Sequence, residues 1–272
     1  LEAVRIFPSP HGKNFCPLLS SDDPEMKTMK TRALAAIATL VLSGSLLAAD
    51  GAPVPRKERV AFAKGAASAT IKGTLKGGAD VDYVVRAAAG QTLEVKLQGT
   101  NPQNDFNVLP PGSADAAMFV STMTGARSWS GVLPADGDYA IRVYLMRPAA
   151  RRNESSRYTL TVAVTGEPLL PLPAARDAKV AGTAYHATAK VPCALPYRPD
   201  VKSCDAGVVR RGNDGTATVE LIGPTGVQRR ILFVQGKPAA SDGMGSPSAS
   251  RNGDVTTVEV GSERYEVPDA FL

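Results

Sequence analysis

The residues best suited to chemistry here are four arginines clustered in one short stretch. Arg147, Arg151, Arg152 and Arg157 lie within eleven positions, accompanied by a single acid, Glu154. Guanidinium groups stay charged at any physiological pH and grip carboxylates in bidentate fashion. A cluster of them with one acid is suited to holding an acidic surface; a solvated charged loop is equally consistent with the residues alone. Other candidates are weaker. Asp80/Asp82 and Asp136/Asp138 are paired carboxylates, but both pairs sit in glycine-rich turn contexts, where Asp serves the backbone. A calcium site is the sharper alternative there. Past residue 49 the chain holds one histidine, His186, and no Gly-x-Ser-x-Gly elbow or phosphate-cradling glycine loop. A Ser-His-Asp arrangement would have to be built on His186. The residues favour a binding protein over an enzyme, with no cofactor and no metal.

The arginines must be positioned by what flanks them. Before them, Pro134-Ala135-Asp136-Gly137-Asp138 reads as a turn. Then Tyr139, Ile141, Val143 and Leu145 alternate with Ala140, Arg142, Tyr144 and Met146, the period of a half-buried strand. After them, Tyr158, Leu160, Val162 and Val164 alternate with Thr159, Thr161 and Ala163. The expectation is a hairpin whose connection, about ten residues long, exceeds the usual two to five. Long loops on stiff sheets are where binding residues concentrate.

Upstream, further short strands are expected at Val60–Phe62, Ala69–Leu75, Asp82–Ala87, Thr92–Leu97, Phe106–Leu109, Ala117–Ser121 and Arg127–Val132. Gly and Pro punctuate them. Trp129, the only tryptophan, is expected in the core with its N–H paired to a carbonyl. Thr165–Ala175 is a proline-bearing linker. The tail carries candidate strands at Thr183–Lys190, Ala206–Arg211, Ala217–Ile222, Gln228–Val234, Val255–Val260 and Arg264–Val267, with Ala239–Ser250 expected as a mobile Gly/Ser-rich loop. The fold class is all-β: a β-sandwich or jelly-roll-like N-terminal domain, then a small antiparallel β-domain.

Met26–Ala49 has a positive start (Lys27, Lys30, Arg32), an apolar run from Ala33 to Leu47 and small residues at Ala48 and Ala49. This is the pattern of a secretory signal peptide, and the run is short for a membrane span. Leu1–Glu25 would then be a leader assigned too far upstream, with Met26 or Met29 the initiator. The expected divisions are 1–25 leader, 26–49 signal peptide, 50–58 disordered mature N-terminus, 59–165 sandwich, 166–175 linker and 176–272 β-domain. Export makes Cys193 and Cys204 a disulfide pair; a metal site with His186 is the rival, and it lacks further ligands. Residues 1–49 carry five basic and four acidic side chains, which leaves 26 basic and 22 acidic. That excess is too small for a nucleic-acid footprint.

Three stretches resemble the periplasmic inhibitors of g-type (goose-type) lysozyme. They are VAFAKGAASATIKGTLKG at Val60–Gly77, DYVVRAAAGQTLEVKL at Asp82–Leu97, and LPADGDYAIRVYLMRPAARRNESSRYTLTVAV at Leu133–Val164. The family has a Leu-Pro-Ala-x-Gly-x-Tyr turn and an Arg-x-x-x-Arg loop before its last strand. The resemblance implies a protein in the periplasm of a Gram-negative bacterium whose partner is a g-type lysozyme. It assigns the partner-binding role to Arg147 and Arg151, with Tyr144 and Arg152 beside them, in a surface that blocks the enzyme's acidic cleft. The family carries a Tyr after its early Lys-Gly; here Gly78 follows Lys76-Gly77. The alternative is a non-catalytic envelope module that binds glycan or protein.

Overall fold

The computed structural model describes residues 54–224 and 226–272. The expected leader and signal peptide lie outside the described residues.

The N-terminal half is two sheets face to face. The first runs β1 (Arg56–Arg59), β3 (Val81–Ala87), β8 (Gly137–Leu145), β5 (Asn104–Leu109), β6 (Phe119–Val120). The second runs β2 (Ser68–Lys76), β9 (Ser155–Thr165), β4 (Thr92–Gly99), β7 (Ser128–Val132), and a one-turn helix, α1 (Ser121–Thr124), joins β6 to β7. The alternation read from sequence decides what faces inward: Tyr139, Ile141, Val143 and Leu145 of β8 are buried, as are Tyr158, Leu160 and Val162 of β9. Tyr83 and Tyr158 meet edge to face across the core, and their hydroxyls share a 2.8 Å hydrogen bond. That bond satisfies two phenols that would otherwise be orphaned in an apolar core. Tyr139 donates to Ala135 O at 2.7 Å and so pins the turn that launches β8.

Two local expectations change. β8 and β9 are not a hairpin. β8 pairs with β3 and β5, whereas β9 pairs with β2 and β4. Each strand has one apolar face, and opposite sheets let those faces meet. Met146–Glu154 is long because it crosses the sandwich, a step of about 10 Å. The first strand is Arg56–Arg59 rather than Val60–Phe62. It lies in the span expected to be disordered, and it pairs in parallel with Val81–Val84. Pro55 falls just before it, where a missing N–H costs no ladder bond, and Arg59 bonds Asp138 at 3.0 Å.

The C-terminal half is one curled eight-stranded sheet in the order β14 (Lys237–Ser241), β13 (Gln228–Val234), β12 (Ala217–Ile222), β11 (Ser203–Arg210), β10 (Ala187–Ala194), β17 (Glu263–Pro268), β16 (Val255–Val260), β15 (Ser248–Asn252). The edges β14 and β15 approach one another, so the sheet is nearly a closed barrel. Both come from the stretch expected to be a mobile loop: its ends complete the barrel and only its middle is irregular. β10 begins at Ala187, later than the sequence suggests, because the hairpin with β11 is registered by Val191 opposite Cys204. Cys193 and Cys204 form a disulfide, with Cα atoms 5.8 Å apart. A second apolar core fills the barrel, with Val208, Val219, Ile231, Phe233, Val258 and Val267 among its members. Among the described residues no helix is long and apolar enough to cross a membrane.

The halves are bolted together by Arg211, whose side chain is 2% exposed. It bonds both carboxylate oxygens of Asp136, Leu169 O and Thr218 Oγ1. Thr218 in turn donates to Pro134 O at 2.7 Å. Asp136 also accepts from Ala89 N–H, which explains a turn carboxylate without invoking calcium. The linker is fixed by Leu169 N–H to Ala89 O and Leu172 N–H to Arg210 O. Arg211→Ala strands the Asp136 carboxylate and the Leu169 carbonyl oxygen and removes a donor from the Thr218 hydroxyl. It is expected to cost about 2–3 kcal/mol, somewhat below a fully buried pair because Asp136 keeps partial access to water. Urea denaturation checks this, with a split into two transitions as the companion signature.

Candidate functional site

The connection expected as a loop folds into a short helix, α2, Arg147–Arg151. Pro148 occupies its first turn, where its fixed φ suits helix entry and its missing N–H is not needed. Ala149 is buried and roots the helix in the sandwich core. Its N–H donates to Gln103 Oε1 at 3.1 Å, and Met146 N–H donates to Gln103 O at 2.9 Å. Asn153 ends the helix at φ 54, a left-handed conformation that Asn tolerates. The next carbonyl, Glu154 O, accepts Gly77 N–H at 2.8 Å. Gly77 has φ 58, and a Cβ there would come within 2.7 Å of Asn153 Oδ1. The β2–β3 turn therefore packs against the C-terminal end of α2, and only glycine permits the approach.

On this braced base Arg147 and Arg151 are exposed. They are four residues apart, so they share one face of the helix. Neither forms an ion pair or side-chain hydrogen bond among the described residues. Arg152 is also exposed but is engaged: its Nε donates to Glu154 Oε1 at 2.6 Å. Glu154 Oε2 accepts Asn101 Nδ2 at 2.7 Å. Tyr144 stands on the outer face of β8, half-buried, and donates to Asn107 Oδ1 at 3.1 Å; burial pushes its hydroxyl pKa up. α2 and its cap thus bring the three arginines together, while Tyr144 sits on a strand with its hydroxyl committed to a neighbour. The Asn101–Asn104 segment, Asn-Pro-Gln-Asn, has no apolar period that would mark it as a structural element in the sequence. Its signal as a brace is its density of side-chain amides, which suit the carbonyls and N–H groups a helix end leaves open.

The Glu154 carboxyl is held below the usual glutamate range, first by the hydrogen bond from Asn101 and then by that from Arg152. Both bonds are made to the charged form. Their contribution is complete above the ordinary glutamate pKa of about 4.3 and is lost as pH falls through the lower folded value. The protection of the Gly77 amide against hydrogen exchange, taken relative to the intrinsic rate at each pH, is expected to fall on acidification through that window. Glu154→Gln removes this pH dependence; an unchanged profile in that variant would assign it elsewhere.

His186 is structural. Its Nδ1 accepts Arg210 N–H at 2.9 Å, and its Nε2 lies 3.2 Å from Leu172 O. With both nitrogens engaged by backbone and both cysteines in the disulfide, the rival metal site of His186 and the cysteines is removed. Among the described residues no cluster of potential metal ligands occurs.

The class of protein this geometry defines is a β-sandwich that carries a short, exposed, cationic helix. No family model matches the chain. An inhibitor of g-type lysozyme from Escherichia coli K12 is 29% identical over 127 residues, 46% of this chain and 92% of that protein. The crystal structure of Aeromonas hydrophila PliG, a periplasmic inhibitor of g-type lysozyme, is 40% identical, covering 40% of this chain and 96% of that one, with a TM-score of 0.38. Salmonella Typhimurium PliG is 28% identical, covering 40% and 98%, with a TM-score of 0.34. Over 40–46% of its length the chain is thus similar to periplasmic inhibitors of g-type lysozyme. More than half of the chain lies beyond what they cover.

Proposed function

We propose that this protein is an exported, non-catalytic inhibitor of g-type lysozyme in the periplasm, and that Arg147 and Arg151 enter the acidic cleft of the enzyme. The observation that carries the reading is a pair of outward guanidinium groups, unpaired among the described residues, on a helix braced by Gln103, Asn153 and Gly77. Glycosidase clefts hold catalytic carboxylates. A guanidinium pair fixed on a stiff scaffold binds them without first ordering a loop. Arg152 and Tyr144 flank the contact; Arg152 acts there mainly by steadying Glu154.

Occupation of the cleft makes inhibition competitive with glycan. A soluble N-acetylglucosamine oligomer is expected to raise the apparent inhibition constant in proportion to its own concentration. Noncompetitive behaviour would place the contact elsewhere.

The family's tyrosine position is Gly78 here. It is exposed, and a Cβ built on it meets nothing within 4 Å. It follows Gly77, which packs against the α2 cap. Gly78→Tyr is therefore expected to fold normally and to tighten inhibition by about 1–2 kcal/mol, roughly 5- to 30-fold, as an aromatic added beside arginine anchors. An inhibition titration checks it.

A further inference from the structure

A second site lies at the far end of the sandwich from α2. Strand β9 begins at Ser155, beside the helix, and ends at Thr165, opposite Thr92. Eleven residues of strand span roughly 33 Å. At the Thr92 end, a cavity of about 520 Å³ opens between the edge strand β7 and the segment that leaves β14. Its walls include Trp129, Ser130, Gly131, Met118, Ser241 and Ser246.

Three features there are left unused by the inhibitor reading. First, Trp129 is only half-buried. One side of its ring packs near Phe119, centroid to centroid 5.9 Å. The ring also lies along its own strand over Gly131, where a Cβ would come within 2.4 Å of Cζ2. Second, its indole N–H has no partner among the described residues, contrary to the paired core tryptophan expected from sequence. Third, the Ser241 hydroxyl is the one buried side-chain polar atom without a hydrogen-bond partner among the described residues, in a residue 6% exposed. Leaving such a group unpaired costs about 1–3 kcal/mol, and a ligand that supplies a partner recovers it.

We infer that this cavity binds a pyranose unit of a glycan chain. A sugar ring has an apolar face of axial C–H groups, which suits the flat indole, and a rim of hydroxyls, which suits the indole N–H and the serines. The wall is built of glycine and serine on the β14 side, so a ring with polar substituents meets little steric resistance. A glycan held here leaves α2 free at the opposite end, so the protein would be retained on a polysaccharide while its arginines face a lysozyme.

The single tryptophan makes the test direct. The full mature chain is titrated with a soluble N-acetylglucosamine tetramer while the Trp129 fluorescence is followed, and binding is measured in parallel by calorimetry. A saturable spectral shift is expected in the parent, and an unchanged dissociation constant in Arg147→Ala/Arg151→Ala. Trp129→Phe keeps an aromatic against Phe119, and Ser241→Ala keeps the volume of the wall. Each is expected to weaken calorimetric binding at least fivefold while leaving lysozyme inhibition unaltered. No saturable shift up to about 10 mM, a range that covers weak single-sugar affinities, overturns the inference. Equal affinity in Trp129→Phe and Ser241→Ala overturns it too. Because inhibition is read separately, neither result bears on the arginine surface.

Discussion

Arg147→Ala combined with Arg151→Ala is expected to raise the inhibition constant against g-type lysozyme at least 1000-fold. Arginine anchors at the centre of an interface cost about 2–4 kcal/mol each when truncated, and under the proposed function two of them on one face would act on the same cleft. The fold is expected to be indifferent to the change. Neither side chain has a partner of its own among the described residues, and the helix is held by Ala149, Gln103 and Asn153 instead. Melting temperatures of parent and double variant should therefore agree within about 2 °C, the scale of a surface substitution. Arg147→Lys with Arg151→Lys separates charge from shape. Lysine keeps the attraction but cannot form the two-pronged contact, so inhibition between the two extremes is expected. An inhibition titration with the three proteins decides the matter.

Arg229→Met is the change expected to damage stability most. Arg229 and Arg230 on β13 are set against three acids. Arg229 Nε donates to Glu263 Oε2 at 2.7 Å, and its Nη1 donates to Asp242 Oδ1 at 3.2 Å. Asp242 also accepts Arg230 N–H at 2.8 Å, and Glu220 pairs with Arg230 Nε at 3.2 Å. β13 and β17 are not neighbours in the sheet, so this network joins parts of the barrel that backbone pairing leaves separate. Removing the Arg229 guanidinium leaves Glu263, 9% exposed, without its counter-charge and Asp242, 2% exposed, with that of Arg230 alone. Breaking a buried pair this way costs about 3–5 kcal/mol, a large share of the 5–15 kcal/mol that holds a typical domain together. Urea denaturation should show that loss, with part of it recovered by adding Asp242→Asn and Glu263→Gln, which neutralise the stranded acids. A loss confined to the single variant and reversed in the triple variant identifies charge burial, rather than lost packing, as the cause.

Much of the sandwich was legible because its strands bury one face each. The alternation in Tyr139–Leu145 and Tyr158–Val164 named the inward residues directly. It could not say which strand pairs with which: alternation fixes a face, whereas pairing is decided by where the apolar faces meet across the core. That is why an apparent hairpin became a crossing between sheets. β1 was missed because Arg-Lys-Glu-Arg has no apolar face, and its strand is held by backbone pairing to β3 and the Arg59–Asp138 contact. The ends of the Ala239–Ser250 stretch were missed for a similar reason. Ser248–Asn252 is exposed along its whole length, and its place in the barrel comes from the ladder with β16. In the candidate site, Arg147 and Arg151 were visible as charge and spacing. The short helix was not, since five residues give no period to read, nor were its braces, which come from parts of the chain distant in sequence.

The central claim is that a stiff β-scaffold blocks one kind of lysozyme through two guanidinium groups. The most direct measurement is residual cell-wall hydrolysis by g-type, c-type and i-type lysozymes, each titrated with the purified mature protein. Stoichiometric loss of g-type activity, with the other two enzymes much less affected, is the predicted result. Undiminished hydrolysis by g-type lysozyme at a large molar excess of this protein would contradict the account.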